Sequence, residues 1–223
     1  MDSLRRIEHD VVDCRACPRL VAWREQVARD KVARFRDWDY WARPVPGFGD
    51  PNARVLLVGL APAAHGGNRT GRVFTGDRSG DFLFASLHRT GFGNQPTSDH
   101  RGDGLALRDC FITAAVKCAP PQNKPTPAER DTCRPYLERE LAVLRDVRVV
   151  VAIGQFGWDA VCAHHHLRPK PRFAHGAEVP LPDGAVLLGS YHVSQQNTFT
   201  GVLTPDMLDA VFTRARGLAD GMS

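Results

Sequence analysis

Cys14-Arg15-Ala16-Cys17 is a C-x2-C pair, and two more cysteines, Cys118 and Cys133, follow far downstream. Four thiolates drawn from two distant segments form an all-sulfur donor set, which suits zinc or an iron–sulfur cluster. A zinc ribbon ordinarily offers a second tight C-x2-C, and none is present, so the spacing leans toward a cluster. Cys118 and Cys133 also fit as ordinary buried residues, so that alternative stays open. Cys110 falls within an apolar run and Cys162 within a helical stretch, and both read as core.

Two loops hold the remaining chemistry. One runs from Gly59 to Gly80 and carries Pro62, His65, Asn68, Arg69, Phe74 and Asp77 among many glycines. Glycine allows the backbone to approach a ligand closely. Asp77 stands before Arg78-Ser79-Gly80, where its carboxylate either caps the following helix or serves a reaction. Phe74, isolated between glycine turns, is either core or a platform on which a flat ligand stacks. The other loop, Tyr191-His192-Val193-Ser194-Gln195-Gln196-Asn197-Thr198, places a histidine at a strand end before a run of amides and hydroxyls.

These groups need elements to hold them. The apolar runs 54–59, 110–116, 147–153 and 185–190 have the character of strands buried on both faces. Helical segments alternate with them at 79–91, 127–144, 155–166 and from Thr204 to about Ala219. Thr126-Pro127-Ala128-Glu129 opens the second of these as a capping box with proline in the first turn. Two more helices precede the first strand, over 2–13 and from Arg19 to about Trp41. Strand–helix alternation at this spacing predicts a three-layer α/β/α domain with a central four-stranded parallel sheet. No repeat, low-complexity tract or linker interrupts the chain, so one domain over residues 1–223 is expected. In such folds ligands bind where strands end and loops begin.

Composition agrees. In 223 residues, 43% hydrophobic, the chain can bury a substantial core. No apolar run is long enough for a membrane span, and no signal peptide follows the first charged residues. A cytoplasmic protein with reduced cysteines is therefore expected. The net charge of +4 is modest, but of the 29 basic residues only Lys31, Lys117, Lys124 and Lys170 are lysines. The arginine excess fits phosphate recognition and equally fits a GC-rich genome. Neither a G-x-S-x-G elbow nor a Walker loop is present, which argues against an α/β hydrolase or nucleotidase acting on free nucleotides. A non-enzymatic metal-bearing nucleic-acid module is the other rival, and it leaves Asp77 and His192 without a role.

Four motifs in this order resemble the uracil-DNA glycosylase superfamily, and within it family 5, the type B enzymes of bacteria and archaea. They are Gly59-Leu60-Ala61-Pro62-Ala63, Thr70–Gly80, Ala114-Ala115-Val116-Lys117-Cys118-Ala119-Pro120-Pro121 and Tyr191–Thr198. The resemblance implies a monofunctional glycosylase that flips uracil and other deaminated bases out of DNA and excises them, starting base-excision repair. It implies a structural [4Fe–4S] cluster on Cys14, Cys17, Cys118 and Cys133. Gly59, Ala61 and Ala63 match the base-pocket wall, Phe74 the stacking aromatic, and His192 the histidine facing the leaving base. Asp77 matches the acidic residue assigned to the catalytic water, and Ser194–Asn197 the loop that presses into the minor groove. Many relatives place Asp or Asn in the first motif, where this chain has Ala63 and Ala64, an absence that family 5 shares.

Such a wall has little to read a base edge with, so tolerance of hypoxanthine and ethenocytosine beside uracil is expected. Arg69, Arg72, Arg78 and Lys124 are the candidates for phosphate contacts. DNA, double-stranded and also single-stranded, is the expected partner of a monomer.

Overall fold

The computed structural model describes residues 2–222. In chain order its elements are α1 (Leu4–Val12), α2 (Pro18–Asp30), β1 (Phe48–Gly49), β2 (Val55–Gly59), α3 (Gly67–Thr70) and α4 (Arg78–Arg89). They continue with β3 (Cys110–Ala114), α5 (Pro127–Val143), β4 (Val149–Ile153), α6 (Gln155–His164), β5 (Glu178–Pro180), β6 (Val186–Ser190), α7 (Gln195–Phe199) and α8 (Pro205–Ala219). The sheet order is β1-β3-β2-β4-β6-β5. The inner four strands are mutually parallel, while β1 and β5 are antiparallel edges.

The inner four are the expected strands. β2, β3 and β4 are buried along their whole length, because helices cover both faces and side chains alternate between them. Val55 and Leu57 of β2 pack with Leu83, Phe84 and Leu87 of α4 and with Leu208 and Phe212 of α8. Leu56 and Val58 point the other way, toward Leu137 of α5 and Trp158 and Val161 of α6. The edge strands were not anticipated. β1 has only two residues and β5 three, ending in Pro180, so neither shows a period, and a proline is tolerated only at such an edge.

Helix α2 is shorter than expected. It ends at Asp30, where Lys31 takes φ +47°, instead of running to Trp41. The aromatic residues beyond it lie on a largely irregular segment and turn back onto the protein, Trp41 against the core. The Arg69 guanidinium packs against the rings of both Phe35 and Trp38, which meet each other edge to face, and the Trp41 and Ala42 amides donate to carbonyls of α3. Tertiary docking of these side chains outweighs the helical pattern. The capping box on α5 is present in both directions.

β2 lies between β3 and β4, so successive connections leave it toward opposite sides. That opens a crevice at its C-terminal end, the topological switch point. Among the described residues no helix is long and apolar enough to cross a membrane.

Candidate active site

At the carboxyl ends of β2 and β6 lies a cavity of about 470 Å³. One wall is the first loop, with Leu60, Ala61, Ala63, Phe74 and Asp77. The other is the last loop, with His192, Ser194 and Gln195, and Asn123 closes the rim. The structure thus brings together Ala61, Ala63, Phe74, Asp77, His192 and Ser194, as expected from the sequence.

Phe74 holds a left-handed backbone, φ +49°, which costs a non-glycine residue on the order of 1–3 kcal/mol and clusters at functional sites. The edge of its ring lies close to Gly59, where a Cβ would come within 2.8 Å of it. Gly59 is therefore the floor beneath Phe74 rather than part of the cavity wall. The ring centroid is 6.3 Å from that of His192, at a tilt of 44°.

Of the two readings the sequence leaves open for Asp77, the structure shows the helix cap directly and leaves the second carboxylate oxygen out of it. Asp77 Oδ1 accepts from the Gly80 amide at 2.9 Å and caps α4. Its Oδ2 faces Gly66 so closely that a Cβ there would stand 1.9 Å away. Burial pushes its pKa up from 3.8, against the pull of the Gly80 amide. Burial also lowers the His192 pKa below 6.5, so the imidazole is neutral at pH 7. Among the described residues no protein group bonds to its ring nitrogens, which leaves them available to a ligand.

Three expectations change. The segment 194–197 is not an open loop: Ser194 stands just before the short helix α7, without a side-chain bond to it, and Gln195–Asn197 lie within that helix. Asn197 lies outside the cavity lining and donates from Nδ2 to the His192 carbonyl at 2.8 Å, which fixes the backbone of that histidine. Arg69 and Arg72 are not free phosphate contacts. Arg69 donates to the His65 and Gly76 carbonyls, and Arg72 forms a buried ion pair with Asp103 at 2.6 Å, only 4% and 7% exposed. Arg78 and Lys124 are exposed. Arg78 stacks over the ring of Phe199, itself 66% exposed beside the cavity mouth, a residue that no sequence pattern singles out. Of the asparagines in the flanking loops, only Asn123 lines the cavity, on a left-handed backbone at φ +56°. Asn68 is buried and bonded to backbone carbonyls.

The four cysteines converge away from this cavity. Cys17 starts α2, Cys118 follows β3 and Cys133 lies on α5. With Cys14 they line one small enclosed space beside Leu20 and Tyr136. Burial pushes the Cys118 thiol up to about 11 and Cys133 to about 12. The Lys117 amide donates to Cys133 Sγ at 3.2 Å, and the buried Arg24 guanidinium donates to Cys118 Sγ at 3.0 Å. Among the described residues no three His, Cys, Asp or Glu side chains are drawn together as one ion requires. Cys110 and Cys162 lie in the core, as expected.

Residues 46–216 match the family model described as uracil DNA glycosylase superfamily. The chain belongs to the uracil-DNA glycosylase superfamily. It is similar to a type-5 uracil-DNA glycosylase of Thermus thermophilus, 57% identical over 207 residues that cover 92% of this chain and 94% of the relative. A Mycobacterium leprae protein of the same name is 54% identical over 220 residues, covering 97% and 96%. A type-4 uracil-DNA glycosylase of Archaeoglobus fulgidus is more distant, 31% identical over 157 residues that cover 70% of this chain and 62% of the relative. The chain is thus a DNA glycosylase, hydrolysing N-glycosidic bonds, and its likeness is to the type-5 branch.

Proposed function

We propose that this glycosylase flips uracil and other deaminated bases out of DNA into the cavity between Phe74 and His192 and hydrolyses the glycosidic bond. The observation that carries the reading is the meeting, in one cavity at the sheet's switch point, of a half-buried carboxylate with a neutral histidine.

A base in a duplex cannot be attacked at C1′, and unstacking it costs a few kcal/mol. Stacking on Phe74 offsets about 1–3 kcal/mol of that cost. As the bond breaks, the base becomes an anion and the sugar an oxocarbenium-like cation. The neutral His192 donates a hydrogen bond to the developing anion at the base carbonyl, as an oxyanion donor does. Asp77, through the oxygen not engaged in capping, stabilises the cation and orients the attacking water. Ser194 and α7 face the minor groove, and Arg78 and Lys124 meet phosphates, which position DNA without reading sequence.

Leu60, Ala61 and Ala63 neither donate nor accept, so they read no base edge. Asn123, Gln195 and Gln196 are the amide side chains lining the cavity, and an amide both donates and accepts. Uracil and hypoxanthine each present a carbonyl beside an N–H, so one amide serves both, and ethenocytosine fits a wall of small side chains. Selection then rests on how easily a damaged pair opens.

Cys14, Cys17, Cys118 and Cys133 hold a [4Fe–4S] cluster with a structural role. The donor set fits: four sulfurs surround one enclosed space, and a buried guanidinium points at one of them. The cluster staples the N-terminal segment to the connection after β3 and makes residues 1–223 one domain. The protein acts as a monomer on double- and single-stranded DNA in the cytoplasm, at the nucleoid.

Oligonucleotides with single uracil, hypoxanthine or ethenocytosine residues, incubated with the protein and then treated with alkali, test the reading. Strand cleavage at uracil and at hypoxanthine is expected, with rates within about two orders of magnitude, ~3 kcal/mol in barrier. A uracil preference beyond that range refutes the broad tolerance. No cleavage at any of them refutes the function. Iron near four atoms per chain and a brown colour are expected of the anaerobically prepared protein.

A further inference from the structure

The described residues bury two cations on the cysteine side of the sheet, and they are balanced differently. Lys117 is 1% exposed and meets Glu140, itself 2% exposed, at 2.7 Å. Arg24 is 2% exposed, yet no carboxylate pairs with it among the described ion pairs. The adjacent Glu25 turns outward to Arg15 at 2.6 Å. Arg24 occupies the buried stripe of α2 with Leu20, Val21 and Val27, where an apolar side chain is the ordinary choice. Its Nη1 donates to Cys118 Sγ at 3.0 Å and its Nη2 to the Cys14 carbonyl at 3.3 Å, and its Nε has no partner. A charge buried without a counter-charge costs several kcal/mol and is rarely kept. A neutral thiol and a carbonyl do not repay that cost.

We propose that the counter-ion of Arg24 is the metal–thiolate centre itself: Arg24 is the positioning residue that neutralises and retains the group held by Cys14, Cys17, Cys118 and Cys133. This rests on the four-cysteine reading above. Four thiolates around a [4Fe–4S] core or around zinc leave a net negative centre, and an N–H donated to a ligating sulfur stabilises that charge. The same residue reaches toward the base cavity. Its carbonyl accepts from Asn68 Nδ2 at 3.2 Å, and the Asn68 amide donates to the carbonyl of Ala63, a cavity-wall residue, at 3.0 Å.

The test uses the full chain, prepared anaerobically, as wild type, Arg24→Met and Arg24→Lys. Metal content is measured by elemental analysis and metal release is followed after adding a chelator. Arg24→Met should release its metal about 10–100-fold faster than wild type, the usual effect of losing such an outer partner, and Arg24→Lys should fall between. Once stripped, the order of stability should reverse: metal-free Arg24→Met should melt above metal-free wild type, which then buries a lone cation. A side chain that only packs would change stability in the same direction with and without metal. Equal release rates, or no reversal, overturn the proposal. Should Arg24→Met fail to fold, Arg24→Lys and Arg24→Gln, which separate charge from shape, decide it by the same release comparison. Zinc in place of iron would refute the iron–sulfur assignment while the release rates still judge Arg24. Protein folded with no metal at all would refute both.

Discussion

Two acid–base constellations, Lys117 with Glu140 and Asp77 with His192, teach opposite lessons. At the end of β3, Lys117 Nζ donates to both oxygens of Glu140, at 2.9 and 2.7 Å, and to Thr113 Oγ1 at 2.5 Å. Thr113 donates in turn to Glu140. Every polar valence points inward and the group is sealed. At the ends of β2 and β6, Asp77 gives one oxygen to a helix cap and keeps the other facing the loop, while His192 keeps both ring nitrogens open to the cavity. Similar residue types are sealed into a brace in one place and face a cavity in the other. The difference lies in where the partners are, not in the residues themselves.

Breaking the brace should have the largest effect on stability. Lys117→Met leaves Glu140 buried and unpaired and should cost about 3–5 kcal/mol in urea unfolding. Replacing both, with Glu140→Leu added, should recover much of that loss. A single mutant as stable as wild type would mean that water reaches the pair.

Asp77→Asn sharpens the contrast, because asparagine caps a helix about as well as aspartate. The excision rate should fall by about 10²-fold or more while the melting temperature holds. In wild type the rate should climb as pH rises through the elevated Asp77 pKa, above 3.8, since only the carboxylate stabilises the sugar cation. That limb should be absent in Asp77→Asn. A rate unchanged by the substitution would reduce Asp77 to a cap.

Phe74→Ala should lower kcat/KM for uracil and hypoxanthine alike by the value of one stacking contact, about 1–3 kcal/mol. Unequal losses would show that the ring discriminates between bases. The smallest effect is expected for Asn197→Ala, which removes one hydrogen bond to the His192 carbonyl, about 0.5–1.5 kcal/mol. A larger loss would move Asn197 from positioning into the DNA contact itself.

The inner strands were readable because Val55–Gly59 and Val149–Ile153 are apolar without interruption, as two-sided burial requires. The edge strands were not, being too short to carry a period. The end of α2 was hidden because Phe35, Trp38 and Trp41 look like a helical stripe, yet the first two close on Arg69, which comes much later in the chain. At the site, glycine-rich loops and a strand-end histidine pointed to Phe74, Asp77 and His192. Nothing local told that Arg72 turns inward, since Asp103 and Ser98, which bind it, lie in a segment without pattern. Asn123 could not be separated from Asn68 and Asn197 until the fold committed the other two to backbone carbonyls.

The central claim is that His192 acts on the leaving base and not on the hold on DNA. Single-turnover excision from a uracil duplex, measured beside the Kd for the same duplex, tests it most directly in His192→Ala. The rate should fall by about 10²–10⁴-fold, with Kd little changed because phosphate contacts carry most of the affinity. A wild-type rate, or a loss confined to Kd, would contradict the account.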